Sequence, residues 1–195
     1  MTPDFEVILF DLGGVLVELE EHAIPSSWLG GKTLNSQDWF HSSIALKFEK
    51  GLISADEFAN ALIQEFDLDV SMEEVIKAFT AWPKGVFPEV PELLIALQKD
   101  YKLAVLSNSN ELHWPRVLNE FLLGQTIDNL FSSHLINMAK PDIHIFEYVL
   151  NALQVNANQV LFFDDNHENI RTAKSLGIEG IYVNSAQQIV DYFDL

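Results

Sequence analysis

The chain has no cysteine and only two arginines, Arg116 and Arg171. Without thiols there is no disulfide framework and no thiolate metal site, and a reducing, cytoplasmic setting is expected. Eleven basic residues stand against 29 acids, a formal net charge of -18, so no broad basic face for nucleic acid is expected. No apolar run reaches membrane-spanning length, and no basic segment followed by a long apolar stretch opens the chain. Neither a membrane span nor a signal peptide is therefore expected. Internal repeats and low-complexity tracts are missing as well. Any positive charge that an anionic ligand needs must come from a metal or from one particular lysine.

What remains is ample for a packed core: 195 residues, 48% of them hydrophobic. That length fits one domain, or one domain with a sizeable insert. Val7 to Phe10 form an unbroken apolar run, the mark of a parallel strand covered on both faces. The run stops at Asp11, and Gly13-Gly14 then let the backbone turn sharply. Glu18 to Leu34 reads as irregular. A helix is predicted from Gln37 to Lys50, with Ser36 as N-cap and Gly51 as stop. Two further helices start at capping boxes, Ser54-Ala55-Asp56-Glu57 and Ser71-Met72-Glu73-Glu74. Pro83 is expected to end the second of them. Residues 18–86 thus read as a helical unit with its own apolar faces, inserted after the first strand.

From Pro88 helices and strands alternate. Helices are predicted at Glu92–Lys99, Trp114–Phe121, Ile143–Leu153, His167–Leu176 with Gly177 as cap, and Gln187–Phe193. Strands are predicted at Leu103–Leu106, Phe131–Ile136, Val160–Phe163 and Ile181–Val183. This alternation predicts an α/β fold, a doubly wound parallel sheet. The long apolar strands all end in polar residues: Asp11, Ser107-Asn108 and Asp164-Asp165. On parallel strands these side chains share one sheet edge, where ligands of open α/β sheets bind. Carboxylates brought together there repel unless a cation lies between them, and an oxygen-only set suits Mg²⁺. Of the six histidines none forms a metal-ligand pair on a helix, and packing roles are expected even for His113 and His167 near the edge.

Phe10-Asp11-Leu12-Gly13-Gly14-Val15-Leu16, the strand end at Ser107-Asn108, Lys140-Pro141-Asp142 before a helix, and Phe162-Phe163-Asp164-Asp165-Asn166 with Asn169 resemble four ordered motifs. They are the motifs of the haloacid dehalogenase (HAD) superfamily. Glu49 to Phe58 resembles the helical cap of its bacterial sugar-phosphatase branch, which includes α-glucose-1-phosphate phosphatases and epoxide-hydrolase phosphatase domains. The resemblance spans nearly the whole chain. It implies a Rossmann-like core, residues 1–17 and 87–195, with a helical cap at 18–86. It implies a Mg²⁺-dependent phosphohydrolase acting on a small phosphomonoester through an aspartyl-phosphate, as a monomer or homodimer. Asp11 is then the nucleophile and a metal ligand. Ser107 and Asn108 bind the substrate, and Lys140 neutralises the transferring group. Asp165 and the Gly13 carbonyl complete the metal site, with Asp164 and Asn169 behind them.

One position departs from the family pattern. Most family phosphatases carry a second Asp two residues after the nucleophile, as general acid for the leaving alcohol; here Gly13 stands there. Glu18, Glu20 and Glu21 are candidate replacements. The cap loop Trp28 to Thr33, Trp82 and Phe87 are candidate substrate contacts. Two other readings share the nucleophile or the fold: a metal-independent 2-haloacid dehalogenase, and a weakly catalytic phosphate-binding or regulatory protein. Clustered acids oppose the dehalogenase, because they repel a carboxylate substrate.

Overall fold

The computed structural model describes residues 5–29 and 42–195. Its organising strand is β1 (Val7–Phe10), fully buried along its length. It lies between β4 (Lys102–Ser107) and β6 (Val160–Asp164), parallel to both. With β5 (Asn129–Ser132) and β7 (Glu179–Tyr182) at the edges, the sheet order is β5-β4-β1-β6-β7, all parallel. A strand with a neighbour on each side and helices on both faces has no solvent side, which is why β1, β4 and β6 read as continuous apolar runs.

Alternate residues serve opposite faces. Ile8 and Phe10 pack with α4 (Val90–Leu97), α5 (Trp114–Asn119) and α10 (Ala186–Tyr192). Val7 and Leu9 pack with α8 (Ile143–Leu153) and α9 (His167–Ser175). The doubly wound architecture expected from the alternation of elements is thus present.

Between β1 and β4 the chain inserts α1 (Ser43–Glu49), α2 (Ala55–Phe66) and α3 (Met72–Thr80). These close on a separate apolar cluster built around Phe48, Phe58 and Phe79. The Phe48 and Phe58 rings stack at 4.3 Å, and Phe79 sits 4.8 Å from Phe58. Both capping boxes form as the sequence indicates. Ser54 and Ser71 hydroxyls accept from the amides of Glu57 and Glu74, whose carboxylates accept from the serine amides at 2.8 Å. No helix among the described residues is long and apolar enough to cross a membrane.

Several boundaries differ from expectation. The stretch read as irregular begins in β2 (Val17–Leu19), which pairs antiparallel with β3 (Pro83–Val86), and it also holds a short 3-10 turn at Ser26–Leu29. Pro83 therefore opens a strand; α3 has already ended at Thr80. Two-stranded pairing between segments 66 residues apart carries no local periodicity that a sequence reading could catch. The strand expected over 131–136 splits into β5 and the helical turn α7 (Ser133–Ile136). β5 runs out of partner where β4 stops, at the Ser107–Ser132 pair. Short α6 (Leu123–Thr126) was not foreseen. α1 begins at Ser43 under a Ser42 cap; Ser36 and residues 37–41 lie outside the described residues.

Phe58 is fully buried at the centre of the inserted cluster. Phe58→Ala is expected to destabilise the protein by about 3–5 kcal/mol, the range for large aromatic truncations in cores. Denaturant unfolding followed by tryptophan fluorescence measures it.

Candidate active site

The strand ends converge at the carboxyl edge of the sheet. Asp11 follows β1 and continues its ladder, its amide donating to the Phe163 carbonyl at 2.9 Å. Asp164 ends β6 and Asp165 follows it. One carboxylate oxygen from each of Asp11, Asp164 and Asp165 lies within 4.8 Å of the others. Gly14 makes this approach possible. It sits at φ +73°, and a Cβ there would stand 2.6 Å from Asp165 Oδ2.

Lys140 enters the cluster from the loop before α8. Its Nζ donates to Asp164 Oδ2 at 2.6 Å and lies 2.9 Å from Asp11 Oδ1. Burial disfavours the ammonium, yet Asp11 and Asp164 together hold it above the ordinary lysine range. Asn108 fixes the lysine's main chain: its Oδ1 accepts from the Lys140 amide at 2.8 Å, and its Nδ2 donates to the Lys140 carbonyl at 2.9 Å. Asp164 is completely buried and fully hydrogen-bonded, with Oδ1 accepting from the Asn166 amide at 2.7 Å and from Asn169 Nδ2 at 2.9 Å. Ser107 is buried at the end of β4 and lines the cavity, its hydroxyl 3.4 Å from the Asn108 carbonyl.

Burial is the first influence on the remaining carboxyls. It pushes Asp11 above the usual carboxylate range, with Lys140 pulling the other way and Asp164 adding repulsion. It pushes Asp165 up in the same direction, reinforced by the charges of Asp11 and Asp164. The site is short of positive charge: three carboxylates share one lysine. The donor set is all oxygen and half-enclosed, and it fits a hard cation such as Mg²⁺.

A cavity of about 250 Å³ opens over these groups, bounded by the sheet edge on one side and by the insertion on the other. Leu19, Leu46, Trp82 and Pro83 supply an apolar wall. Trp82 is at the cavity as expected. Phe87 is not among its lining residues, packing instead against the sheet core. Trp28 packs into the inserted cluster, and residues 30–33 lie outside the described residues. Glu18 pairs with Lys84 at 2.6 Å, and Glu20 and Glu21 are exposed; none of the three lines the cavity. Among the described residues, the insertion's carboxyl at the cavity is Glu49, which sequence reasoning passed over as a site residue. Leu46 and Glu49 are three apart, so they share a face of α1 while Ala45 and Phe48 serve the cluster. Burial, with the nearby charge of Asp11, pushes the Glu49 carboxyl up to about 7 against the pull of Lys140.

A family model described as haloacid dehalogenase-like hydrolase matches residues 5–177. The chain belongs to that family. It is 30% identical to the D-ribitol-5-phosphate phosphatase of Bacteroides thetaiotaomicron, over 88% of each chain. It is 28% identical to (S)-2-haloacid dehalogenase 4A of Burkholderia cepacia, over 51% of this chain and 44% of that one. Among solved structures, a HAD family enzyme of B. thetaiotaomicron in complex with magnesium and inorganic phosphate aligns with a TM-score of 0.77. The two are 26% identical, with 91% of this chain and 93% of that chain covered.

His113 also lines the cavity, but its ring nitrogens are in use: Nε2 lies 2.7 Å from the Phe79 carbonyl and Nδ1 3.1 Å from Asn110 Nδ2. Burial lowers it to about 4. His167 stacks on Tyr182 at 4.0 Å, so both histidines pack as expected. Because the unfolded chain binds a proton near pH 6.5 and the folded chain near 4, His113 stability is intact above 6.5 and lost as pH falls towards 4. The full loss is about 3 kcal/mol, and His113→Gln is expected to flatten that part of the stability–pH curve in urea titrations between pH 7 and 4.

Proposed function

We propose that this hydrolase is a Mg²⁺-dependent phosphatase of small phosphorylated metabolites, sugar phosphates first among them. The observation that carries the reading is the placement of Asp11. It faces the cavity, beside a buried lysine and at the mouth of a three-carboxylate cluster. One of its carboxylate oxygens is the nucleophile: it attacks phosphorus, forms an aspartyl-phosphate and releases the alcohol, and water then frees inorganic phosphate. Lys140 carries positive charge to the transferring group, and the Ser107 hydroxyl donates to a phosphoryl oxygen. Asn108 acts through Lys140, whose main chain it clamps. Asp11, Asp165 and the Gly13 carbonyl would hold Mg²⁺, which supplies charge neutralisation for nucleophile and phosphate. Asp164, tied by Asn169, keeps the lysine in place.

In this reading residues 1–17 and 87–195 are the catalytic core, and 18–86 are a cap that excludes water over the reacting atoms. The similarity to a D-ribitol-5-phosphate phosphatase along most of both chains supports a phosphorylated polyol or sugar as substrate. The dehalogenase reading is weaker, since three carboxylates would meet a carboxylate substrate. The binding-only reading has to explain why Asp11, Ser107, Lys140 and Asp165 all stand together.

Phosphate release from a panel of sugar phosphates is expected to require both Mg²⁺ and Asp11, with Asp11→Asn reducing turnover to background. No release by the wild type from any member, in any metal, would sink the proposal, and halide release from 2-chloropropionate without metal would favour the dehalogenase. Mg²⁺ at about 100 times its Kd is expected to raise Tm by roughly 5–10 °C in the wild type. Differential scanning calorimetry of Asp165→Asn should show little or none of that shift.

A further inference from the structure

An alkoxide is a poor leaving group unless it is protonated as it departs. Gly13 offers no acid for this, and the space beside it is taken: a Cβ on Gly13 would stand 3.1 Å from Leu19 Cδ1. Lys140 is held charged between two carboxylates. Among the described residues, the carboxyls that line the cavity are Asp11, Asp165, Glu49 and Glu168. The first two serve the nucleophile and the metal site. Glu168 is exposed, in the first turn of α9 on the same side of the cavity as Asp165. Of the four, Glu49 is the one that reaches the cavity from the insertion, across from the sheet edge.

The position of Glu49 is set by the core. The Ser133 hydroxyl donates to the Glu49 carbonyl while accepting from the Ser109 amide at 2.9 Å. Asn137 Nδ2 donates to the Lys50 carbonyl at 2.8 Å. Gly51, at φ +64°, presses against the core so closely that a Cβ would lie 2.5 Å from the His134 carbonyl oxygen. These contacts fasten residues 49–51 to α7 and to the end of β4, two residues past Ser107. A side chain on an inserted helix is thereby referenced to the strand ends that carry the other site groups.

We propose that Glu49 is the proton donor to the leaving alcohol, held in register by a latch of Ser133, Asn137 and Gly51. The proposal rests on the phosphatase reading above. In the first step an Asp11 oxygen bonds to phosphorus and the phosphorus–alcohol bond breaks. Its electron pair goes to the alcohol oxygen, which takes the Glu49 proton. In the second step water bonds to phosphorus, the bond to Asp11 breaks, and the Glu49 carboxylate takes the water's proton. Free Asp11, inorganic phosphate and the acid form of Glu49 are restored. Burial, which favours the neutral carboxyl, supplies protonated acid at neutral pH.

The test compares kcat/KM for two kinds of ester in the Mg²⁺-loaded wild type, Glu49→Gln and Glu49→Met. One is the sugar phosphate hydrolysed fastest; the other is 4-nitrophenyl phosphate, whose phenolate leaves without a proton. kcat/KM reads the steps up to alcohol release, so slow hydrolysis of the aspartyl-phosphate does not enter. Loss of the acid is expected to lower the sugar-phosphate value by about 10²–10⁴-fold and the aryl value by less than about 10-fold, with the melting temperature unchanged. Equal losses on both esters, or no loss on either, in a variant that melts like the wild type would overturn the proposal while leaving the phosphatase reading intact. A wild type inactive on both esters would remove the two together.

Discussion

A single buried ammonium holds this site together. Asp11 and Asp164 come from adjacent central strands, so the sheet itself forces their carboxyl groups towards one point. Uncompensated, two such charges in a low-dielectric interior would either take up protons or separate. Lys140 stands between them at 2.9 and 2.6 Å, and the rest of the neighbourhood serves that contact. Asn108 grips both main-chain polar atoms of the lysine, and Asn169 and the Asn166 amide saturate the far side of Asp164. A buried ion pair is weak support for stability in general, because desolvation offsets much of the attraction. Here its value is positional. Asp164 is locked and Asp11 is half-neutralised, while Lys140 makes no ion pair with Asp165.

The two apolar clusters of the sheet and the third cluster of the insertion meet through few covalent crossings: the β2–β3 ribbon, and the chain that leaves it. Without further contact an insertion of this kind would be free to tilt. The polar fastening of residues 49–51 onto α7 opposes that, and it does so beside the sheet edge that carries Asp11 and Ser107. Hydrogen bonds to main-chain carbonyls suit this task. They fix a helix end without filling the cavity that the helix overlooks, and each is weak enough to be broken singly.

The strands that cross the middle of the sheet were legible because each is a local pattern: a four- or five-residue apolar run closed by an acid or by Ser107-Asn108. Convergence of Asp11, Ser107 and Asp164-Asp165 followed from parallel topology alone. Lys140 was identified only through its motif context, since a loop lysine has no distinguishing periodicity. Other features depended on partners far away in the chain. The pairing of Val17–Leu19 with Pro83–Val86 lacks a turn signal, and the halt of β5 at Ser132 is imposed by the end of β4. Asn108 presents its amide to Lys140, 32 residues on, which no spacing rule anticipates. Glu49 was missed for a related reason. The apolar spacing puts Ile44 and Phe48 on the packed face of α1, and everything else then reads as solvent-facing. Only the opposing sheet edge turns the Leu46–Glu49 face into a cavity wall.

Gly13 and Leu19 tell one story with that wall. An acid at position 13 would sit on the rigid turn after β1 and would need the room that Leu19 now fills. Leu19 lines the cavity beside Gly13 in its place. With glycine at 13, the turn after β1 carries no proton source at that position. If that source lies instead on the insertion, the nucleophile and the acid belong to different apolar clusters, and the complete set of groups exists only while α1 rests on α7. An acid at Glu49 would also place the leaving alcohol between the two clusters, on the side of the cavity that Leu46 and Trp82 line. The shape of the insertion, rather than that of the strand ends, then decides which alcohol is accepted.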